Sequence, residues 1–229
     1  VDLGVKLLTE GNFKWSMNAN YSHNRNEVTD LSDVKSVFLA GFTGTSSRVV
    51  EGEAIGTLWG NKFLRDESNN YVLNEFGFPE VSGEEGVIGD PNPNWIGGIG
   101  TVFTYKGISL SAQFETSQGN DHWEGTKGVL NTFGISPETA NETLATQDLT
   151  AANGSVIPAG TVFRGNIGDF GAGPVALDQS WYTTNGGGFG NQSETFISDA
   201  SWTRLRELSL GYEFPKTMLD KVGFSNMSI

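Results

Sequence analysis

The sequence predicts an all-β chain, an antiparallel transmembrane β-barrel rather than a soluble domain. Four stretches alternate apolar and polar residues with a period of two. Phe13, Trp15, Met17, Ala19 and Tyr21 share one parity, with Lys14, Ser16, Asn18 and Asn20 on the other. Ile108, Leu110, Ala112 and Phe114 oppose Ser109, Ser111, Gln113 and Glu115; Leu208, Leu210, Tyr212 and Phe214 oppose Glu207, Ser209 and Glu213. Trp95, Ile99, Phe103 and Tyr105 follow the same rule, interrupted by Gly97. Side chains on a strand point alternately to its two faces. The stretches approach the roughly 9–11 residues a tilted strand needs to cross a bilayer core. A second observation is unequal connections, very short at some strand ends and very long at others, as in outer-membrane barrels. A third is that no run of about 18 apolar residues occurs, so no transmembrane helix is expected.

The elements follow in order. Residues 1–8 and 12–23 form a hairpin across Thr9-Glu10-Gly11-Asn12, with Gly11 supplying positive φ. Residues 27–48 are polar and Gly/Ser-rich, a loop whose apolar patch at 37–40 is too short to assign. Gly52 to Gly60, continuing into Phe63-Leu64, reads as a strand. Residues 66–70 are a turn, 71–73 a short strand, and 77–89 an acidic, turn-rich segment. Residues 94–105 and 108–118 make the clearest hairpin, turning at Lys106-Gly107.

Residues 120–192 show little periodicity: at most a helical turn near 125–133 and an isolated strand near 161–164. Compact domains rarely carry connections that long. The chain returns on 200–214 until Pro215, which has no N–H to donate. A helical turn over 216–222 ends at Gly223, and Phe224 starts another strand. The short turns then share one side of the membrane, periplasmic in bacterial barrels, and the long loops the other. Tyr105, Tyr212 and Phe214 sit where one aromatic girdle belongs, Trp95 and Trp202 where the second belongs.

Composition narrows function. The 229 residues carry net charge −13, which disfavours nucleic acid as a partner. With no cysteine, disulfide and thiolate chemistry are excluded. No nucleophile elbow or phosphate-binding loop occurs, no carboxylate pair is placed at a shared pocket, and no cofactor is expected. The chain reads as no enzyme.

Three segments carry a family resemblance. Gly89, Asp90, Pro91, Asn92, Pro93 and Trp95, followed by Phe103 to Ser111, resemble a hallmark of the SusC/RagA-type TonB-dependent outer-membrane transporters. The run from Trp202 to Pro215, with Arg204, Leu205, Arg206, Leu210, Gly211 and Tyr212, resembles the same family near its C-terminus. Gly52 to Gly60 resembles a third stretch, departing at Ala54. The resemblance implies a bacterial outer-membrane barrel of about 22 strands, with an N-terminal plug reached by TonB and a SusD-like surface lipoprotein as lid. It implies import of oligosaccharide or peptide, with lipid and lipopolysaccharide around the barrel. Residues 1–229 would be a C-terminal portion of the barrel, with the plug, the TonB box and the final strands absent.

Two other readings stay open: a soluble β-sandwich that binds carbohydrate, and a passive porin-like barrel. Gly89 to Asn94 reads as a binding loop or as a rigid lead into the next strand. Asp66, Ser68 and Asn70 begin a calcium-loop spacing, but Tyr71 replaces the required glycine. His23 and His122, the only histidines, read as a metal pair or as solvated loop residues. Trp123, Trp181 and Tyr182 either stack on substrate or lid, or pack the loop. Arg204 and Arg206 share the outward parity of their strand and would meet lipopolysaccharide phosphates or snorkel to the interface.

Overall fold

The computed structural model describes residues 1–9, 11–42, 44–187, 193–221 and 223–229. β1 (Asp2–Leu8) and β2 (Phe13–Ser22) pair antiparallel, with Gly11 at φ +82°; Glu10 lies outside the described residues. β3 (Ser36–Phe42), β4 (Thr45–Val50), β5 (Thr57–Phe63) and β6 (Val81–Gly89) follow. β7 (Trp95–Tyr105) and β8 (Ile108–Gln118) turn at Lys106 and Gly107, both at positive φ, the backbone of a type I′ turn.

Next come β9 (Asp121–Trp123), α1 (Gly125–Thr132) and α2 (Pro137–Ala140). β10 (Glu142–Leu144), β11 (Leu149–Ala151), β12 (Val156–Ile157) and β13 (Val162–Arg164) lead to β14 (Asn166–Asp169) and β15 (Pro174–Leu177). α3 (Gln179–Tyr182), β16 (Ile197–Asp199), β17 (Trp202–Tyr212) and α4 (Lys216–Leu219) complete the order. Among the described residues no helix is long and apolar enough to cross a membrane, which says nothing of crossing by strands.

The elements divide into two units. The first comprises Val1–Arg25, Pro93–Asn120 and Ala200–Ile229. It is one antiparallel sheet in the order β1-β2-β7-β8-β17. β2 pairs with β7 from Phe13 opposite Tyr105 to Ser22 opposite Ile96, so residues 23–94 are an excursion between two adjacent strands. β8 pairs with β17 in the same way, from Ser117 opposite Trp202 to Ile108 opposite Tyr212. Both excursions therefore leave from one end of the sheet, and the hairpin turns lie at the other. Beyond β17, Tyr212 and Ile229 exchange backbone hydrogen bonds and Phe214 N donates to Met227 O, so the strand expected from Phe224 is reduced to an isolated bridge, Glu213 to Ser228.

The second unit comprises Asn26–Asn92 and Asp121–Asp199. Residues 27–48, expected as a loop, contain β3 and most of β4, and the expected turn-rich segment 77–89 contains β6. These join β5 in a sheet ordered β3-β4-β5-β6. The expected strand from Gly52 begins only at Thr57, because Gly52 and Gly56 both take positive φ. The short strand expected at 71–73 is reduced to isolated bridges, Arg65 to Tyr71 and Leu73 to Pro79.

The described part of 120–192, residues 120–187, is not an open loop. β11 pairs in parallel with β15, and Leu149, Ala151 and Ala176 have no exposed surface. Phe63, Phe78, Val175, Trp181 and Tyr182 form a second cluster. Strands of two to four residues are too short to leave a periodic trace, and their stability comes from burial against each other.

Candidate functional site

The register of the first unit gathers its apolar residues on one face. Leu3 lies opposite Ala19, Ala19 opposite Ile99, Ile99 opposite Phe114, and Phe114 opposite Leu205. A second row runs Trp15, Phe103, Leu110 and Leu210. This face stands open: Leu208 is 63% and Leu210 73% exposed. Soluble monomers rarely leave so large a contiguous apolar surface uncovered. On this face Trp15 Nε1 donates to Thr101 Oγ1 at 2.9 Å. Aromatic rings mark both ends. Phe13 and Trp15 stack on Phe103 at 6.1 and 5.5 Å near the short turns, with Tyr105 beside them. Tyr21 stacks on Trp95 at 5.8 Å near the long connections.

The opposite face is polar. Ser111 and Ser209 share a hydrogen bond at 2.5 Å, and the Asn18 and Asn20 carboxamides lie over Gly100 and Gly98. Here one expectation is corrected. A β-bulge at Arg206, between Leu205 and Glu207, shifts the pairing by one residue. Such a shift exchanges the two faces. Leu205 therefore continues the apolar row, while Arg204 sits opposite Glu115 on the polar face, Nη2 3.5 Å from its carboxylate. Arg206 Nε reaches the same oxygen at 3.5 Å. Trp202 shares this polar face, its ring 4.1 Å from the Arg204 guanidinium carbon, so it is not part of an outward girdle. Gly211 lies opposite Ser109, also on the polar face, and Tyr212 opposite Ile108 on the apolar one. Pro215 precedes the first turn of α4.

In the second unit, Gly89, Asp90 and Asn92 build a rigid turn. Asp90 Oδ1 accepts from Asn92 N and Nδ2, and Asn92 Nδ2 also donates to Ile55 O. Asp90 N donates to Asp121 Oδ2 at 2.9 Å. Pro91 sits inside this turn; Pro93 and Trp95 fall in the first unit, where Asn94 N donates to Gln118 O. Asp66 accepts from Ser68 N and from Asn70 N and Nδ2, so its oxygens are engaged within their own turn. These bonds, that from Asn70 foremost, hold the carboxyl below its ordinary range. His23 Nδ1 is bonded to Asn94 O; His122 lies near Ser198 and Glu124.

Trp123 is half-buried on β9, its ring 6.4 Å from Phe42. Trp181 and Tyr182 lie inside the second unit's aromatic cluster. Trp181 contacts Phe78 and Phe170 at 5.5 and 5.3 Å, and Tyr182 OH accepts from Asn166 Nδ2 at 2.7 Å. Burial pushes the Tyr182 phenol above its ordinary value. Sequence reading missed Arg65 and Glu194, which meet at 2.6 Å, and Asn131, buried at 3% exposure. No local pattern marks a pair so far apart in sequence, and a lone Asn on a short helix looks like surface.

No protein-family model matches the chain. TonB-dependent receptor P39 of Formosa agariphila is 24% identical to it over 99% of the chain and 24% of its own length. TonB-dependent receptor P3 of the same organism is 22% identical over 99% of the chain and 22% of its own length. The chain thus spans about a quarter of the length of these curated relatives. Among solved structures, the RagAB peptide importer in the closed-closed state aligns over 99% of the chain and 24% of its own, with TM-score 0.57 and 17% identity. The RagAB peptide transporter aligns over 99% of the chain and 23% of its own, with TM-score 0.59 and 16% identity. At that identity the likeness is one of fold. Along 99% of its length the chain is thus similar in sequence to two TonB-dependent receptors and in fold to the RagAB importer structures.

Proposed function

We propose that this chain supplies barrel wall and exterior surface to a TonB-dependent outer-membrane importer. The observation that carries the reading is the first unit's sheet: one face continuously apolar and exposed, the other polar, with both long excursions leaving from a single end. Lipid covers such an apolar face, a wet lumen suits such a polar one, and backbone edges are satisfied only when the sheet closes. Closure to about 22 strands requires strands from the remainder of a longer protein. The excursions then face the cell exterior, where a SusD-like lipoprotein docks as lid, and TonB acts through a plug. Cargo is peptide or oligosaccharide, moved without covalent chemistry. The curated relatives support the class, and the likeness in fold to a peptide importer, RagAB, supports import as the activity.

The test is uptake. The full-length protein should fractionate with the outer membrane, and labelled peptides or oligosaccharides should enter cells only when TonB is present. Uptake unchanged in a TonB-deficient strain would favour a passive pore. A detergent-free, monomeric full-length protein would favour the soluble sandwich.

A further inference from the structure

The four-stranded sheet of the second unit has two edges, β3 and β6. β6 carries Glu84 and Glu85 in mid-strand, and charges so placed keep an edge from pairing with other chains. β3 carries no charge and no proline over its seven residues. Phe38, Leu39 and Phe42 on it are 60%, 50% and 62% exposed, with Val37 beside them. The apolar patch at 37–40, too short to assign from sequence, is this edge. Ser36 lies opposite Val50, Phe38 opposite Arg48 and Phe42 opposite Thr45, so β4 occupies one side of the strand. Among the described residues the backbone of 36–42 makes no hydrogen bond beyond that ladder. A bulge at Leu39 bends the strand but leaves its apolar side chains exposed. Unpaired N–H and C=O groups along such an edge are a template for one more strand.

Charge chooses the occupant. Val28 exchanges backbone bonds with Gly52 and Glu53, and Ser36 lies opposite Val50. The chain between them therefore brings Glu27, Asp30, Asp33, Glu51 and Glu53 to one end of β3. Lys35 is the cation beside them, and among the described residues none of these carboxylates forms an ion pair. The second unit contains 21 Asp and Glu against six Lys and Arg, so a second copy of it is repelled. A strand that bears cations at its end is attracted.

We propose that the open edge of β3 takes an extended segment of a partner protein, uncharged along its centre and carrying Lys or Arg where it meets Asp33 and Glu51. Main-chain hydrogen bonds supply the affinity, and contacts with Phe38, Leu39 and Phe42 supply the selection. The proposal stands independently of the import reading. Full-length protein in detergent is titrated with three fluorescent peptides, and binding is read by anisotropy. They are Lys-Val-Thr-Val-Thr-Val-Lys, its counterpart with Glu at both ends, and the lysine peptide N-methylated throughout its Val-Thr core. The lysine peptide should bind, and the other two should bind about tenfold more weakly or worse. Phe38→Lys and Leu39→Lys should each weaken the lysine peptide about tenfold, since a lysine on an edge blocks pairing. Asp33→Lys combined with Glu51→Lys should reverse the preference between the lysine and glutamate peptides. All four side chains are exposed, so the melting temperature should not change. No binding of the lysine peptide, equal binding of its N-methylated form, binding unchanged in both edge variants, or a preference unmoved by the charge reversal overturns the proposal. Self-association of the full-length protein that is lost in Phe38→Lys would make a second copy the occupant, and overturns it as well.

Discussion

Glu194 Oε1 lies 2.6 Å from Arg65 Nη2 across 129 residues of chain, and Glu194 Oε2 accepts from Phe63 N at 2.8 Å. One carboxylate thereby fastens the segment before β16 to the end of β5. The Arg65 guanidinium also stacks on Tyr71 at 4.3 Å. The bond from Glu194 is the largest cause raising the Arg65 pKa above its ordinary value. For a base raised in the folded state, the stabilisation is complete below arginine's ordinary range and is lost only at pH above it. It is therefore constant at physiological pH. Glu194→Ala should cost about 1–3 kcal/mol, because two donors lose a charged acceptor. Amide hydrogen exchange should accelerate in β5 and β16; unchanged protection there would refute the role.

Leu110 and Ser111 are neighbours on opposite faces of β8, opposite Leu210 and Ser209 respectively. Arginine at Leu110 should destabilise the full-length barrel in lipid vesicles by about 2–4 kcal/mol, the cost of a charge on the lipid face near mid-bilayer. Arginine at Ser111 should cost much less, since a polar lumen keeps it hydrated. Equal costs in urea titrations would sink the assignment of faces.

The chain has no cysteine, so single cysteines can report sidedness. Ala172 is an exposed residue of the second excursion, and Thr217 an exposed residue of α4, at the turn end of β17. With a membrane-impermeant maleimide on intact cells, Ala172→Cys should label and Thr217→Cys should not. The reverse pattern would invert the proposed topology.

Leu149 is fully buried between β11 and its neighbours. Leu149→Ala should cost about 2–5 kcal/mol within the second unit, as for a buried aliphatic in a packed core. Proteolysis of the full-length protein should then cut within 142–177 while β1, β2, β7, β8 and β17 stay protected. Wild-type resistance in the variant would return this segment to the status of a simple covering loop.

Asp66 titrates below the ordinary carboxylate range because Asn70 and Ser68 donate to it. For an acid lowered in the folded state, the stabilisation is present above its ordinary value and is lost as pH falls through the lowered one. The Ser68 and Asn70 amide resonances should shift over that acid range. Asp66→Asn should flatten this titration, and an unaltered shift would assign it to another group.

Part of the candidate site was legible because it is local. Trp181 and Tyr182 stood out as large aromatics in a polar stretch, but their burial in one cluster with Phe78 depends on chain about a hundred residues away. Asn131 carried no signal, since the surroundings that bury it are made by elements that meet only after folding.

The sequence by itself determined the two faces of β2 and β8, because backbone geometry sends successive side chains to opposite sides whatever lies next to the strand. It also determined the turn at Lys106 and Gly107, where a two-residue connection demands positive φ. The tertiary structure alone decided where Trp202 and Arg204 point. Their parity follows that of Leu208 and Leu210 only while the strand is regular, and the bulge at Arg206 exists only in the pairing with β8. The second unit was decided in the same way. Its short strands hold no period of their own and become strands only when a distant partner supplies the hydrogen bonds and covers the apolar side chains.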